Sequence, residues 1–64
     1  MMDGTKAQIK ANIKYVRKLM RELESVMRED ALESYDWQLV ADVANEASCI
    51  AGQVMELAVA RANA

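Results

Sequence analysis

The chain has 64 residues, a net charge of −2, one cysteine and no histidine. This length limits it to one domain, and a domain of this size buries only about 60% of the surface of its unfolded chain. One cysteine excludes an internal disulfide, and without histidine it cannot complete a tetrahedral zinc site. We therefore expect oligomerisation to supply the missing stability.

The N-terminal half predicts one amphipathic helix. Thr5 and Gln8 have the spacing of a capping box, so the first helix is predicted to begin at Lys6. Beyond it, apolar residues recur at intervals of three and four, the period of one helix face. The predicted seam of this helix consists of Ile9, Ile13, Val16, Met20, Leu23 and Met27, with Tyr15, Leu19 and Val26 beside it.

The periodicity fades over residues 28–37, where acidic residues cluster. Ser34 is the predicted N-cap of a second helix, with Asp36 in its first turn facing the positive end of the helix dipole. Alternatively, the first helix runs through Leu32 and the turn has only two or three residues. The predicted bounds are about residues 6–32 for the first helix, about 30–36 for the turn and about 35–62 for the second helix.

The C-terminal half predicts a second helix with two strips to bury. Its seam consists of Val40, Val43, Ala47, Ile50, Val54 and Leu57. An adjoining strip of small and apolar residues consists of Trp37, Ala41, Ala44, Ser48, Ala51, Met55, Ala58 and Ala62. Because the two helices have similar lengths, we expect an antiparallel hairpin.

The two strips of the second helix cover roughly 200° of its circumference, against the ~100° that one core requires. A hairpin has a single internal interface, so we predict an all-α hairpin that dimerises into a four-helix bundle. Alanines seven residues apart let helices approach closely; alternatively, they are good helix formers at exposed positions. The residues assigned to the core and the dimer contact are Ile9, Ile13, Val16, Met20, Leu23, Met27, Val43, Ala44, Ala47, Ile50, Ala51, Val54, Leu57 and Ala58.

Charge divides sharply between the two halves. Residues 1–28 carry seven basic and three acidic side chains, whereas residues 29–64 carry one basic and seven acidic side chains, giving net charges of +4 and −6. Six basic residues at helical spacing form a ridge beside the first seam: Lys6, Lys10, Lys14, Arg17, Lys18 and Arg21. We expect this basic ridge to face Asp42 and Glu46 of the second helix and to steer antiparallel pairing. The alternative is a surface that contacts the phosphates of a nucleic acid.

The length, the matched helices and the implied dimer resemble the layout of ROP, a helical hairpin of the four-helix-bundle family. Proteins of that name bind paired RNA loops through their first helices, so the resemblance implies structured RNA as a ligand of the basic ridge. It covers the architecture of nearly the whole chain and transfers no site residues. Asp3, Glu22 and Glu24 interrupt the ridge.

Few residues suggest chemistry. Two acidic groups are candidates for holding a cation: Asp42 with Glu46, and the cluster of Glu29, Asp30, Glu33 and Asp36. The cluster lacks the spacing and the glycine of a calcium loop, and we interpret both groups as solvated charge. Cys49 has acidic neighbours and no histidine to activate it. We expect no enzymatic activity, no cofactor and no metal.

Two aromatic residues, Tyr35 and Trp37, fall near the turn. We interpret them as caps that close one end of the bundle core; alternatively, they anchor a partner protein. Met20, Met27 and Met55 are interpreted as core filler.

The sequence favours a non-enzymatic interaction or regulatory protein, a homodimer or higher homo-oligomer that docks on a protein partner in the cytoplasm. The alternative is binding of structured RNA or another nucleic acid through the basic ridge. Binding to anionic membranes is disfavoured because the apolar seam of the first helix is better used against the second. No segment approaches the ~20 apolar residues of a membrane span, and no apolar leader is expected.

Overall fold

The structure, a computed structural model, describes residues 4–63 and consists of two α-helices packed side by side. Helix α1 spans Thr5–Met27 and helix α2 spans Ser34–Ala62. Their six-residue connection, residues 28–33, reverses the chain and confirms the predicted all-α hairpin. The hairpin is a thin rod of 51 × 15 × 12 Å. Asp3, which we expected to interrupt the basic ridge, lies outside the described residues.

The start of α1 differs from the predicted capping box. Gly4 occupies the N-cap position, and its carbonyl accepts a hydrogen bond of 2.8 Å from the backbone N–H of Gln8. Thr5 is therefore the first helical residue and not the cap, so the helix begins one residue before the predicted Lys6. Glycine is tolerated at an N-cap because the position does not require helical dihedral angles.

Helix α1 ends at Met27 instead of continuing to residue 32. The backbone N–H groups of Arg28 and Glu29 bond to carbonyls three residues earlier, at 3.3 and 3.1 Å, so the last turn tightens. Acidic residues at 29 and 30 would face the negative end of the dipole if the helix continued, which disfavours a longer α1. Leu32 instead lies half-buried in the turn.

Helix α2 begins at Ser34, so Glu33 and not Ser34 is its N-cap. The backbone N–H of Glu33 donates to the Asp36 carboxylate at 2.9 Å. Asp36 lies in the first turn, as the sequence predicted. Its negative charge stabilises this helix end both through the hydrogen bond and through the dipole.

The interface between the helices is a single strip on each. On α2 it contains all six residues of the predicted seam, and Ala47 is the most buried, at 4% exposed. On α1 the strip is rotated from the predicted seam, because Leu19, at 4% exposed, lies at its centre. The half-buried or buried apolar residues of α1 are Ile9, Val16, Leu19, Leu23 and Val26.

Three residues of the predicted α1 seam lie outside this interface. Ile13, Met20 and Met27 remain 41%, 40% and 48% exposed. Leu19 and Val26, which we had placed beside the seam, face α2 in their stead. The apolar arc of α1 is wider than one neighbour can cover, so contact with α2 decides which part of it is buried. Neither helix in residues 4–63 is long and apolar enough to cross a membrane.

Candidate interaction surfaces

The hairpin has two broad faces, and one of them is polar. The Tyr15 hydroxyl on α1 donates a hydrogen bond of 2.5 Å to the Glu46 carboxylate on α2. This bond crosses the edge of the interface, so Tyr15 and Glu46 mark the same face of both helices. Nearer the start of α1, Gln8 and Gln53 line one shallow groove on that face.

The opposite face is apolar and uncharged. At about 100° per residue, Ile13 and Met20 lie on the side of α1 away from Tyr15. By the same rotation, Ala44 and Ala51 lie on the side of α2 away from Glu46. We call this surface the apolar face. Its exposed residues are Ile13, Met20, Met27, Trp37, Ala44, Ser48, Ala51, Met55 and Ala58.

The apolar face leaves large side chains in water. Met55 is 63% exposed and Trp37 is 55% exposed. Among the described residues, only Leu19 and Ala47 are buried hydrophobic residues. The hairpin interface alone therefore gives the chain a very small core.

The total exposed surface is larger than the mass predicts. A folded monomer of 7.1 kDa is expected to expose about 4,100 Å². This chain exposes 5237 Å², an excess of about 1,100 Å² over that expectation. A stable protein–protein interface of standard size buries about 800 Å² on each partner. The thin rod shape accounts for this excess, and the size of the excess is comparable to what one partner contributes to such an interface.

The basic ridge does not face α2, contrary to our expectation. Its six side chains are all exposed, and their helical positions lie on the side of α1 away from Leu19. Glu46 instead accepts its hydrogen bond from Tyr15, and Asp42 accepts one of 3.0 Å from Gln38. Within residues 4–63, no ion pair shorter than 4.0 Å joins the ridge to these two carboxylates. The ridge consequently faces solvent.

Two adjacent shallow grooves run along the basic ridge. Lys14 and Arg21 line both of them. The other lining residues are Ala11, Tyr15 and Lys18 in one groove and Lys10, Ile13 and Arg17 in the second. Several cationic side chains thus converge on each groove.

Comparison of the chain with protein-family models, curated proteins and solved structures gives no match. No function can therefore be carried over from a relative.

Tyr15 has a role that the sequence did not indicate, because its spacing marked it only as an apolar neighbour of the α1 seam. Its hydrogen bond to Glu46 raises the pKa of the phenol above the usual 10.0. Partial desolvation and the negative charges of Glu46 and Glu22 act in the same direction. Each of these effects penalises the phenolate, because the anion would lose the bond and stand beside carboxylates.

Asn12 is the second residue that sequence reasoning missed. It lies in the α1 interface strip, three residues after Ile9 and four before Val16. Its side-chain nitrogen is buried and has no hydrogen-bond partner within the described part of the chain. Its spacing of three and four from its apolar neighbours is the signal that places Asn12 on the buried strip, although the residue itself is polar.

Neither Tyr35 nor Trp37 is buried within the single hairpin, and the interpretation that they close one end of the bundle core stays a prediction. Tyr35 is 73% exposed, and Trp37 belongs to the apolar face. The alternative interpretation, a partner anchor, stays a prediction.

The candidate cation sites show no convergence of ligands. Among residues 4–63, no group of three or more histidine, cysteine, aspartate or glutamate side chains is arranged to hold a metal ion. Asp36, Asp42 and Glu46 each accept a hydrogen bond from a neutral donor. Cys49 is a free, exposed thiol.

Proposed function

We propose that this protein is a non-enzymatic interaction module whose hairpins pair through their apolar faces into a homodimeric four-helix bundle. The observation that carries the proposal is the uncharged apolar face on a chain that exposes about 1,100 Å² more than its mass predicts. Monomeric proteins rarely leave so continuous an apolar surface in water. A second copy of the chain presents a surface of the same chemistry.

The composition of the apolar face suits helix–helix packing. Ala44, Ala51 and Ala58 are all exposed and lie seven residues apart, so they form one line along α2. Small residues in such a line allow another helix to approach closely and gain dispersion contacts. Because the face carries no charged side chain, covering it requires no burial of an ion.

The decisive measurement is sedimentation at micromolar concentration, with Ala51→Lys as the disruptive variant. The unaltered chain is expected to sediment as a species of twice 7.1 kDa. Ala51→Lys places an unpaired charge in the contact, at a cost of about 3 kcal/mol, and should weaken dimerisation about a hundredfold or more.

Ala60→Lys is the matched control, because Ala60 is an exposed alanine of α2 outside the apolar face. It should leave the mass of the dimer unchanged. A stable, well-folded monomer of 7.1 kDa for the unaltered chain would contradict the proposal.

We also propose that the dimer docks on a protein partner through Tyr35. This side chain is the most exposed of the large hydrophobic residues and lies outside the apolar face, so dimerisation leaves it accessible. Exposed aromatic rings are typical of binding hot spots. Affinity capture from the native host should return a salt-tolerant band that Tyr35→Ala loses and Tyr35→Phe keeps. Equal capture by all three proteins would contradict this role for Tyr35.

A further inference from the structure

The basic ridge is the most strongly charged surface of the molecule, and it lies outside the apolar face that we assign to dimerisation. Between Lys6 and Arg21 the sequence contains six basic side chains and no acidic one. All six are exposed. Such a concentration of like charge on one helix costs free energy through mutual repulsion unless an anion neutralises it.

The two acidic residues of α2 that we expected to face this charge, Asp42 and Glu46, do not pair with it. Most of the ridge lies on the side of α1 opposite the hairpin interface, and Lys18 at its edge shares a groove with Tyr15, the hydrogen-bond partner of Glu46. Both of these carboxylates already accept hydrogen bonds from neutral side chains. Although the whole chain has a net charge of −2, neither of these carboxylates forms an ion pair with the ridge within residues 4–63.

We propose that the basic ridge binds the phosphate backbone of a nucleic acid. From Lys6 to Arg21 the ridge extends about 22 Å at 1.5 Å per residue. A duplex carries one phosphate charge per about 1.7 Å of axis, so several phosphates lie within reach of this length. The two grooves that share Lys14 and Arg21 bring three and four basic side chains, respectively, to one depression each. Each contact releases a condensed counterion, which supplies the driving force.

The structure favours a nucleic acid over an anionic membrane as the source of the phosphates. A helix that lies on a membrane must insert its apolar side among the lipids. On α1 that side packs against α2 through Leu19, which is 4% exposed. Ile13 and Met20, which are still exposed, belong to the apolar face that we assign to dimerisation. Ile13 also lines one of the two grooves of the ridge, so this choice rests on the proposed dimer, which covers Ile13 and Met20.

The test measures fluorescence anisotropy of labelled duplex RNA and duplex DNA of the same sequence over a range of salt concentrations. The unaltered protein should bind at least one of them, and its affinity should fall steeply with added salt. Replacing Lys10→Gln and Lys14→Gln together should weaken binding about tenfold and reduce the slope of log affinity against log salt by about 2. Which duplex binds more tightly distinguishes RNA from DNA as the source.

A charge-matched control is Gln53→Glu with Asn45→Glu, which lowers the net charge equally on exposed positions of α2. This variant should bind nearly as the unaltered protein does, and Lys10→Arg with Lys14→Arg should keep full affinity. Sedimentation of every variant separates a loss of binding from a loss of the dimer. The proposal is overturned by no binding at low salt, by equal losses in the glutamine variant and the control, or by binding only to phosphatidylserine vesicles.

Discussion

Two single residues set local properties that the helical pattern does not reveal. Tyr15 joins α1 to α2 by donating to Glu46. Asn12 places a buried nitrogen without a partner inside the same interface. One residue contributes a hydrogen bond between the helices, and the other carries a desolvation cost.

Tyr15 predicts a loss of stability in alkaline solution. Because its pKa is raised above 10.0 in the fold, the folded state holds the phenolic proton more tightly than the unfolded state does. The contribution of this bond is therefore complete below pH 10.0 and is lost as the pH rises through the raised pKa. In thermal melts at neutral pH, Tyr15→Phe should unfold at a lower temperature than the unaltered chain. This difference in melting temperature should disappear as the pH rises through the raised pKa of Tyr15. Tyr35→Phe is the control. A difference in melting temperature between Tyr15→Phe and the unaltered chain that does not change with pH would contradict the role of Tyr15.

Asn12 predicts a stabilising substitution. A buried amide nitrogen without a partner costs about 1–3 kcal/mol, so Asn12→Leu should raise the free energy of unfolding by at least about 1 kcal/mol. Urea unfolding at fixed protein concentration measures the change. Asn45→Leu, at an exposed position, should alter stability by less than about 0.5 kcal/mol. Destabilisation by Asn12→Leu would show that the amide is paired in the assembled protein, where a polar group in the seam can fix register.

At the scale of the elements, capping decides where the helices begin and end. The Asp36 carboxylate satisfies the Glu33 N–H at the start of α2. The acidic residues that follow Met27 disfavour continuation of α1. The turn therefore lies between the last position at which α1 can continue without acidic residues at its C-terminus and the first position at which Asp36 can cap the N-terminus of α2.

Removing the Asp36 carboxylate should destabilise this turn. Asp36→Ala is expected to lower the free energy of unfolding by about 1 kcal/mol, the usual contribution of such a cap. Asp30→Ala removes the same charge from an exposed turn position and should change stability by less than about 0.5 kcal/mol. Equal effects of the two variants in urea unfolding would mean that net charge, and not the cap, is responsible.

At the scale of the whole molecule, stability and assembly are expected to be coupled. With Leu19 and Ala47 as the only buried hydrophobic residues among those described, the hairpin by itself has little core. Burial of the apolar face in a dimer would add the missing hydrophobic contribution. The basic ridge lies on the far side of α1 from the hairpin interface, where it stays available to a ligand.

This coupling predicts that thermal stability depends on protein concentration. If the dimer is the folded species, the midpoint of thermal unfolding should rise as the protein concentration increases. Circular dichroism over a hundredfold range of concentration measures it. A midpoint that stays constant over that range would indicate that the isolated hairpin folds without a partner.

The sequence by itself determined that the chain forms two helices and which strip of α2 faces α1. Spacings of three and four identify a helix directly, because they follow from 3.6 residues per turn. The α2 seam was readable because most of its residues are large and apolar, such as Val40 and Val43, whereas the adjoining strip consists mostly of alanine. The position of Asp36 in the first turn of α2 was also readable from the sequence, because it depends on a hydrogen bond between residues only three positions apart.

The tertiary structure alone decided which part of the α1 arc is buried and where the basic ridge points. Leu19 and Met20 are both apolar and adjacent, so periodicity fits either as the centre of the seam. Contact with α2 selects Leu19 and leaves Met20 on the apolar face. The same rotation of α1 turns Lys10 and Lys14 away from Asp42 and Glu46. The local pattern of one helix fixes the angles between its own side chains, but only packing against a second helix fixes how the whole set is rotated.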